Sequence, residues 1–133
     1  LMPATAPTLS AGWLNGTPGE DSIIGRMLPQ PEVCNAQARH VRLDDLLGDG
    51  FAVLALDADP LALMSEAHAQ AWQRLGSRFI AVRSPNSSAF ADTDVIDHTG
   101  ELTAWMNHYR SRVIGVRPDR FVAASDASGL GTP

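Results

Sequence analysis

Apolar and polar positions alternate with a clear period over the body of the chain, which starts near Arg39. His40-Val41-Arg42-Leu43 alternates polar and apolar, the signature of a half-buried strand. Asp44-Asp45-Leu46-Leu47 reads as a short turn closed by Gly48 and Gly50. Residues 51–56 form an unbroken apolar run between turn residues, which predicts a strand covered on both faces. Asp59-Pro60 is a helix start, with Asp as cap and Pro in the first turn. The helix is predicted to run to Leu75 and stop at Gly76, with Leu61, Met64, His68, Trp72 and Leu75 on one face. A second strand follows over 78–82. Strand, helix and strand in about thirty residues make a right-handed βαβ unit with parallel strands.

Beyond a polar loop over 84–92, Asp94-Val95-Ile96-Asp97 predicts a short strand ended by His98-Thr99-Gly100. Leu102, Trp105, Met106 and Tyr109 mark a short amphipathic helix. Residues 112–117 and 120–123 flank Pro118-Asp119 as an antiparallel hairpin with Pro at the first turn position. The order β-β-α-β-β-α-β-β describes an α/β fold: a thioredoxin-like mixed sheet with flanking helices and a terminal antiparallel hairpin. The domain is assigned to 39–124 and a frayed tail to 125–133.

Residues 1–38 differ in kind. They hold five of the nine prolines (Pro3, Pro7, Pro18, Pro29 and Pro31) and read as an extended Pro/Gly-rich arm or linker. Trp13, Leu14, Ile23, Ile24, Met27 and Leu28 have no use in a plain spacer, so they are expected to pack against this domain or a neighbour. The opening Leu1-Met2-Pro3 carries no initiator at position 1 and no basic-then-apolar leader, which reads as a piece of a longer, cytoplasmic protein.

Composition narrows the function classes. With 133 residues, 44% hydrophobic and 19% charged, the chain has material for one domain with a real core. A net charge of −5 argues against nucleic acid, and no apolar run is long enough to cross a membrane. All ten basic residues are Arg, a coding bias rather than a mechanism. Cys34 is the single cysteine, so no intrachain disulfide can form.

Tests for chemistry come out negative. A thioredoxin-like redox site needs a low-pKa thiol at the start of the first long helix, usually within Cys-x-x-Cys. That corner reads Leu56-Asp57-Ala58-Asp59-Pro60-Leu61, without cysteine, and Cys34 lies in the arm, before the predicted sheet. Gly48-Asp49-Gly50 leads into a strand, whereas a dinucleotide fingerprint must lead into a helix N-terminus. His40, His68, His98 and His108 show no paired metal-ligand spacing, and His68 reads as a core-edge histidine. Asp97-His98 lacks a nucleophile motif, and Asp44-Asp45 reads as a helix cap. Arg110, Arg112, Arg117 and Arg120 gather at the last hairpin, either to meet a carboxylate or as a charged edge that blocks aggregation. Asn15 and Asn86 match the glycosylation triplet by pattern only. No catalytic, cofactor-binding or metal-binding residue is therefore nominated.

Four stretches carry a family resemblance. Gly25-Arg26-Met27-Leu28-Pro29-Gln30-Pro31 precedes Leu43-Asp44-Asp45-Leu46-Leu47-Gly48-Asp49-Gly50-Phe51-Ala52-Val53-Leu54. Val95-Ile96-Asp97-His98-Thr99-Gly100-Glu101-Leu102 and Val116-Arg117-Pro118-Asp119-Arg120-Phe121-Val122-Ala123 follow. Together, over about 25–124, they resemble the C-terminal domain of FAD-dependent aromatic-ring hydroxylases of the phenol hydroxylase type, most nearly the 3-(3-hydroxyphenyl)propionate hydroxylases. The resemblance implies a parent monooxygenase that uses FAD, NAD(P)H and O₂ to hydroxylate a phenolic ring. It also implies that this domain has no redox cysteines and no cofactor of its own. Its role would be packing, subunit contact or stability, and its partners the rest of the flavoprotein chain and a second subunit. The alternative is a free-standing, redox-inactive thioredoxin-like binding module.

Overall fold

The computed structural model describes residues 22–87 and 91–126. Trp13, Leu14, Asn15 and the segment after Asp126 lie outside the described residues. The strands are β1 (Glu32–Cys34), β2 (His40–Arg42), β3 (Ala52–Leu56), β4 (Arg78–Arg83), β5 (Val95–Ile96), β6 (Val113–Val116) and β7 (Val122–Ser125). The helices are α1 (Leu43–Leu47), α2 (Glu66–Arg74) and α3 (Glu101–His108), with a 3₁₀ turn over Pro60–Leu63. The seven strands form one mixed sheet in the order β2-β1-β5-β4-β3-β6-β7.

The expected centre is present. β3 and β4 pair in parallel from Ala52↔Arg78 to Leu56↔Val82, as a βαβ crossover requires. β6 runs antiparallel to β3, and β6 and β7 form the terminal hairpin. Its turn is closed by Arg120 N–H on the Arg117 carbonyl (2.8 Å), with Arg120 left-handed (φ 73°). A turn followed by one left-handed residue places an irregularity in the next pairing, and the register shifts at Gly115/Val116.

β3 is buried along its whole length because both faces are covered. Ala52, Leu54 and Leu56 join a core with Leu102 and Met106 of α3 and Leu43 and Leu47 of α1. Val53 and Ala55 join a second core with Phe51 and Trp72 of α2. Strand alternation thus divides one apolar run between two layers.

Several boundaries differ from the sequence expectation. Within the assigned arm, Ile23, Ile24 and Leu28 pack against the domain as expected, while Val33 is also buried and β1, which the sequence did not predict, pairs with β2 and β5. Gly25 N–H bonds the Val122 carbonyl (2.9 Å) and Leu28 N–H the Arg120 carbonyl (2.8 Å), so backbone covers the start of the β7 edge. Met27 faces outward, 58% exposed. β1 leaves no signal in the sequence because three residues between prolines and a turn are too few to show a period.

The long helix expected over 59–75 is broken. Asp59 does cap it, Oδ1 accepting from Leu61 N–H at 3.0 Å, but the 3₁₀ turn ends at Met64 in extended backbone. Ser65 then caps α2, its Oγ accepting from His68 N–H at 3.1 Å. Leu61 is accordingly 41% exposed, while His68 and Trp72 are buried as expected. Gly76 ends the helix with φ 71°, the left-handed conformation its position implied.

The predicted turn at 44–47 is the helix α1. The predicted tail start at Ser125 is the buried end of β7, its Oγ 2.8 Å from Ser111 Oγ. Asp126 Oδ1 accepts from the N–H groups of Arg112 and Val113 at 2.9 and 3.0 Å, which holds that end.

Candidate functional site

Two places could carry chemistry: the corner after β3, where a thioredoxin-like fold keeps its thiols, and the β1–β2 edge. At the corner the chain turns at Asp57, which takes a left-handed φ of 54°. Asp tolerates that conformation better than most residues with a Cβ. Its N–H bonds the Val82 carbonyl at 2.7 Å. Its Oδ1 accepts from Ser84 N–H (2.8 Å), Ser84 Oγ (3.1 Å) and Ser87 Oγ (3.3 Å). The carboxylate ties the end of β3 to the loop after β4, and Asp59 caps the 3₁₀ turn. No cysteine lies between Leu56 and Leu61, and the hydrogen bonds of Asp57 make the corner a structural clasp.

At the β1–β2 edge the sequence predicts β2 but not β1. Cys34, expected before the sheet, is the last residue of β1 and pairs with His40 of β2 and Ile96 of β5. His98 lies just beyond β5, and its Nδ1 stands 3.6 Å from Cys34 Sγ. The rings of His40 and His98 stack with centroids 4.5 Å apart and 20° between planes. Glu32 Oε1 lies 3.0 Å from His40 Nδ1 and 3.7 Å from His98 Nε2. One donor atom each from Cys34, His40 and His98 falls within 4.8 Å of the others. Cys34 and His98 are half-buried and His40 is exposed. Cys34 and His98, 64 residues apart, meet only through sheet pairing, so their proximity leaves no spacing signal in the sequence.

The other singled-out residues have structural duties. Asp97 is buried, and its Oδ2 accepts from Thr103 N–H (2.7 Å) and Thr103 Oγ1 (2.8 Å), anchoring α3. It therefore does not orient His98. Asp44 does not cap α1, which starts without a side-chain cap. It accepts from Arg120 Nε at 2.7 Å, while Arg120 also donates to the carbonyls of Gly50 (3.3 Å) and Gly48. Arg117 pairs with Asp119 at 2.8 Å. Two of the four hairpin arginines thus bind acids of this chain, and Arg110 and Arg112 are exposed. Arg83 and Asp94, 3.0 Å apart, form a buried pair between β4 and the residue before β5.

Gly48-Asp49-Gly50 lies between α1 and β3, so no helix N-terminus follows it to receive a phosphate. No helix among the described residues is long and apolar enough to cross a membrane.

Comparison with known proteins agrees with this geometry. A thioredoxin-like protein from Bacteroides caccae superposes with a TM-score of 0.54 at 12% identity, covering 79% of this chain and 46% of its own. That likeness shows the thioredoxin-like fold. A 3-(3-hydroxy-phenyl)propionate/3-hydroxycinnamic acid hydroxylase from Paraburkholderia xenovorans is 38% identical over 122 residues, covering 87% of this chain and 19% of that enzyme. The enzyme of the same name from Mycolicibacterium smegmatis is 37% identical over 115 residues, covering 82% and 20%. The chain thus spans about a fifth of the length of these relatives. The HcaD C-terminal domain model matches residues 25–131, nearly all of the folded body, and the chain belongs to that family.

Proposed function

We propose that this chain is the C-terminal domain of an FAD- and NAD(P)H-dependent monooxygenase that hydroxylates a phenolic substrate such as 3-(3-hydroxyphenyl)propionate. Its role there is packing, subunit contact or stability, not chemistry. The observation that carries the reading is the family match over 25–131, together with hydroxylase relatives of which the chain spans a fifth. The corner after β3 supports the non-catalytic half, since its polar atoms are spent on the clasp between Asp57, Ser84 and Ser87.

On this reading the domain holds no FAD or NAD(P)H of its own, which is supported by Gly48-Asp49-Gly50 leading into β3 and not into a helix N-terminus. The cofactor and substrate sites belong, on this reading, to the flavoprotein body of the parent. That body is the domain's first partner, a second subunit the next, and the cytoplasm their compartment.

Two experiments test this. Reading the gene upstream of Leu1 should give an in-frame extension with a strand–Gly-x-Gly-x-x-Gly–helix start. A stop codon just before Met2 would overturn the parent enzyme. Deleting the domain from that enzyme should leave turnover per FAD-loaded subunit within a few-fold while lowering Tm or subunit association. Abolished turnover in a folded, flavin-loaded truncation would overturn the non-catalytic role.

A further inference from the structure

We propose that Cys34, His40 and His98 form a divalent transition-metal site, with zinc as the ion that the donor set suits. A thiolate with two imidazoles is a soft-to-borderline set, which selects zinc over magnesium or calcium. Tetrahedral zinc, with bonds of about 2.3 Å to sulfur and 2.0–2.1 Å to nitrogen, places S and N about 3.5 Å apart. Cys34 Sγ and His98 Nδ1 stand at 3.6 Å, already at that edge length. The rings of His40 and His98 are stacked, so ion binding requires His40, whose side chain is 57% exposed, to turn out of the stack and close the remaining separation of up to 4.8 Å.

Glu32 adds the support that such a site needs. Its Oε1 is 3.0 Å from Nδ1 of His40 and 3.7 Å from Nε2 of His98. A carboxylate on one imidazole nitrogen sets the tautomer, fixes the ring and makes the other nitrogen a better donor. Nδ1 of His98 is the nitrogen turned to the thiol, as this arrangement requires. On binding, Sγ releases its proton to solvent and two imidazoles bind neutral. Water at the exposed His40 side completes the four ligands.

The site has a mechanical consequence. β1 meets β5 through one residue pair, Cys34↔Ile96, so the β1–β2 hairpin joins the central sheet by a thin seam. The three donors come from β1, β2 and the turn after β5, which puts an ion across that seam. Zinc would fasten the hairpin to the sheet and stabilise the fold by mass action.

The test is titration of the 133-residue chain with Co²⁺ and then Zn²⁺, with the thiol kept reduced. Expected are 1:1 binding, a thiolate-to-cobalt charge-transfer band that Zn²⁺ abolishes, and a Tm raised by Zn²⁺. Cys34→Ser should lose the band. His40→Ala, at an exposed position that should not disturb folding, and His98→Ala should each weaken Zn²⁺ binding at least tenfold. Glu32→Gln should weaken it by about 10–100-fold. Absence of saturable 1:1 binding to the folded chain would overturn the proposal. So would a Zn²⁺ affinity and Tm shift that His40→Ala and His98→Ala both leave unchanged.

Discussion

Gly115→Ala provides a sharp test of the sheet–helix packing, because geometry and backbone entropy predict opposite signs. Gly115 lies in β6 beneath α2, and a Cβ there would stand 2.4 Å from Cη2 and 2.5 Å from Cζ2 of Trp72. Trp72 is fully buried and meets Phe51 edge-on at 6.0 Å, so its ring has no open direction in which to retreat. Overpacking of this kind costs about 1–3 kcal/mol. Replacing Gly by Ala in unstrained extended backbone instead gains about 0.4–1 kcal/mol through the unfolded chain. The net expectation is destabilisation of about 0–2.6 kcal/mol, toward the upper end for an approach as close as 2.4 Å. At about 4 °C per kcal/mol for a domain of this size, Tm falls by up to about 10 °C.

Urea unfolding followed by tryptophan fluorescence, with an unchanged m-value, measures the difference. Repeating Gly115→Ala in a Trp72→Phe background isolates the contact, since a phenyl ring ends short of the offending atoms. There the substitution should become neutral or stabilising, a coupling of at least about 1 kcal/mol. A Gly115→Ala protein more stable than the parent, or an equal cost in both backgrounds, would refute the packing of α2 on β6.

Other substitutions probe the remaining joints. Arg120→Ala should destabilise by about 1–3 kcal/mol, because it leaves the Gly48 and Gly50 carbonyls without their donor; a midpoint shift under about 0.5 kcal/mol in urea would show these bonds to be screened surface contacts. Ser65→Ala removes the cap of α2 and should cost about 0.5–2 kcal/mol, with faster amide exchange confined to its first turn. Asp97→Ala removes the acceptor for Thr103 N–H and Oγ1 and should cost about 1.5–3 kcal/mol; retention of full stability would show that α3 is held by its apolar face alone.

Much of the architecture was legible because it rests on local patterns. The run over 51–56 reads as doubly covered, and the two cores divide it residue by residue. Asp59 and Gly76 mark a helix start and stop by their own conformational preferences. Between them Ser65 went unread, since an N-cap inside an apolar period looks like one more polar position. In the arm, Ile23, Ile24 and Leu28 are buried as their apolar character implied, but the partners they pack against exist only in the assembled sheet.

By itself, then, the chain determined the central strands, the parallel βαβ centre, the amphipathic helix α3, the terminal hairpin, the cysteine-free corner and its family, because all of these depend on short-range period, turn chemistry and local motif. Tertiary structure alone decided which distant side chains meet. Asp44 finds Arg120 across 76 residues, and Cys34 finds His98 across 64. Strand order and register set those meetings, and neither leaves a local trace in the sequence.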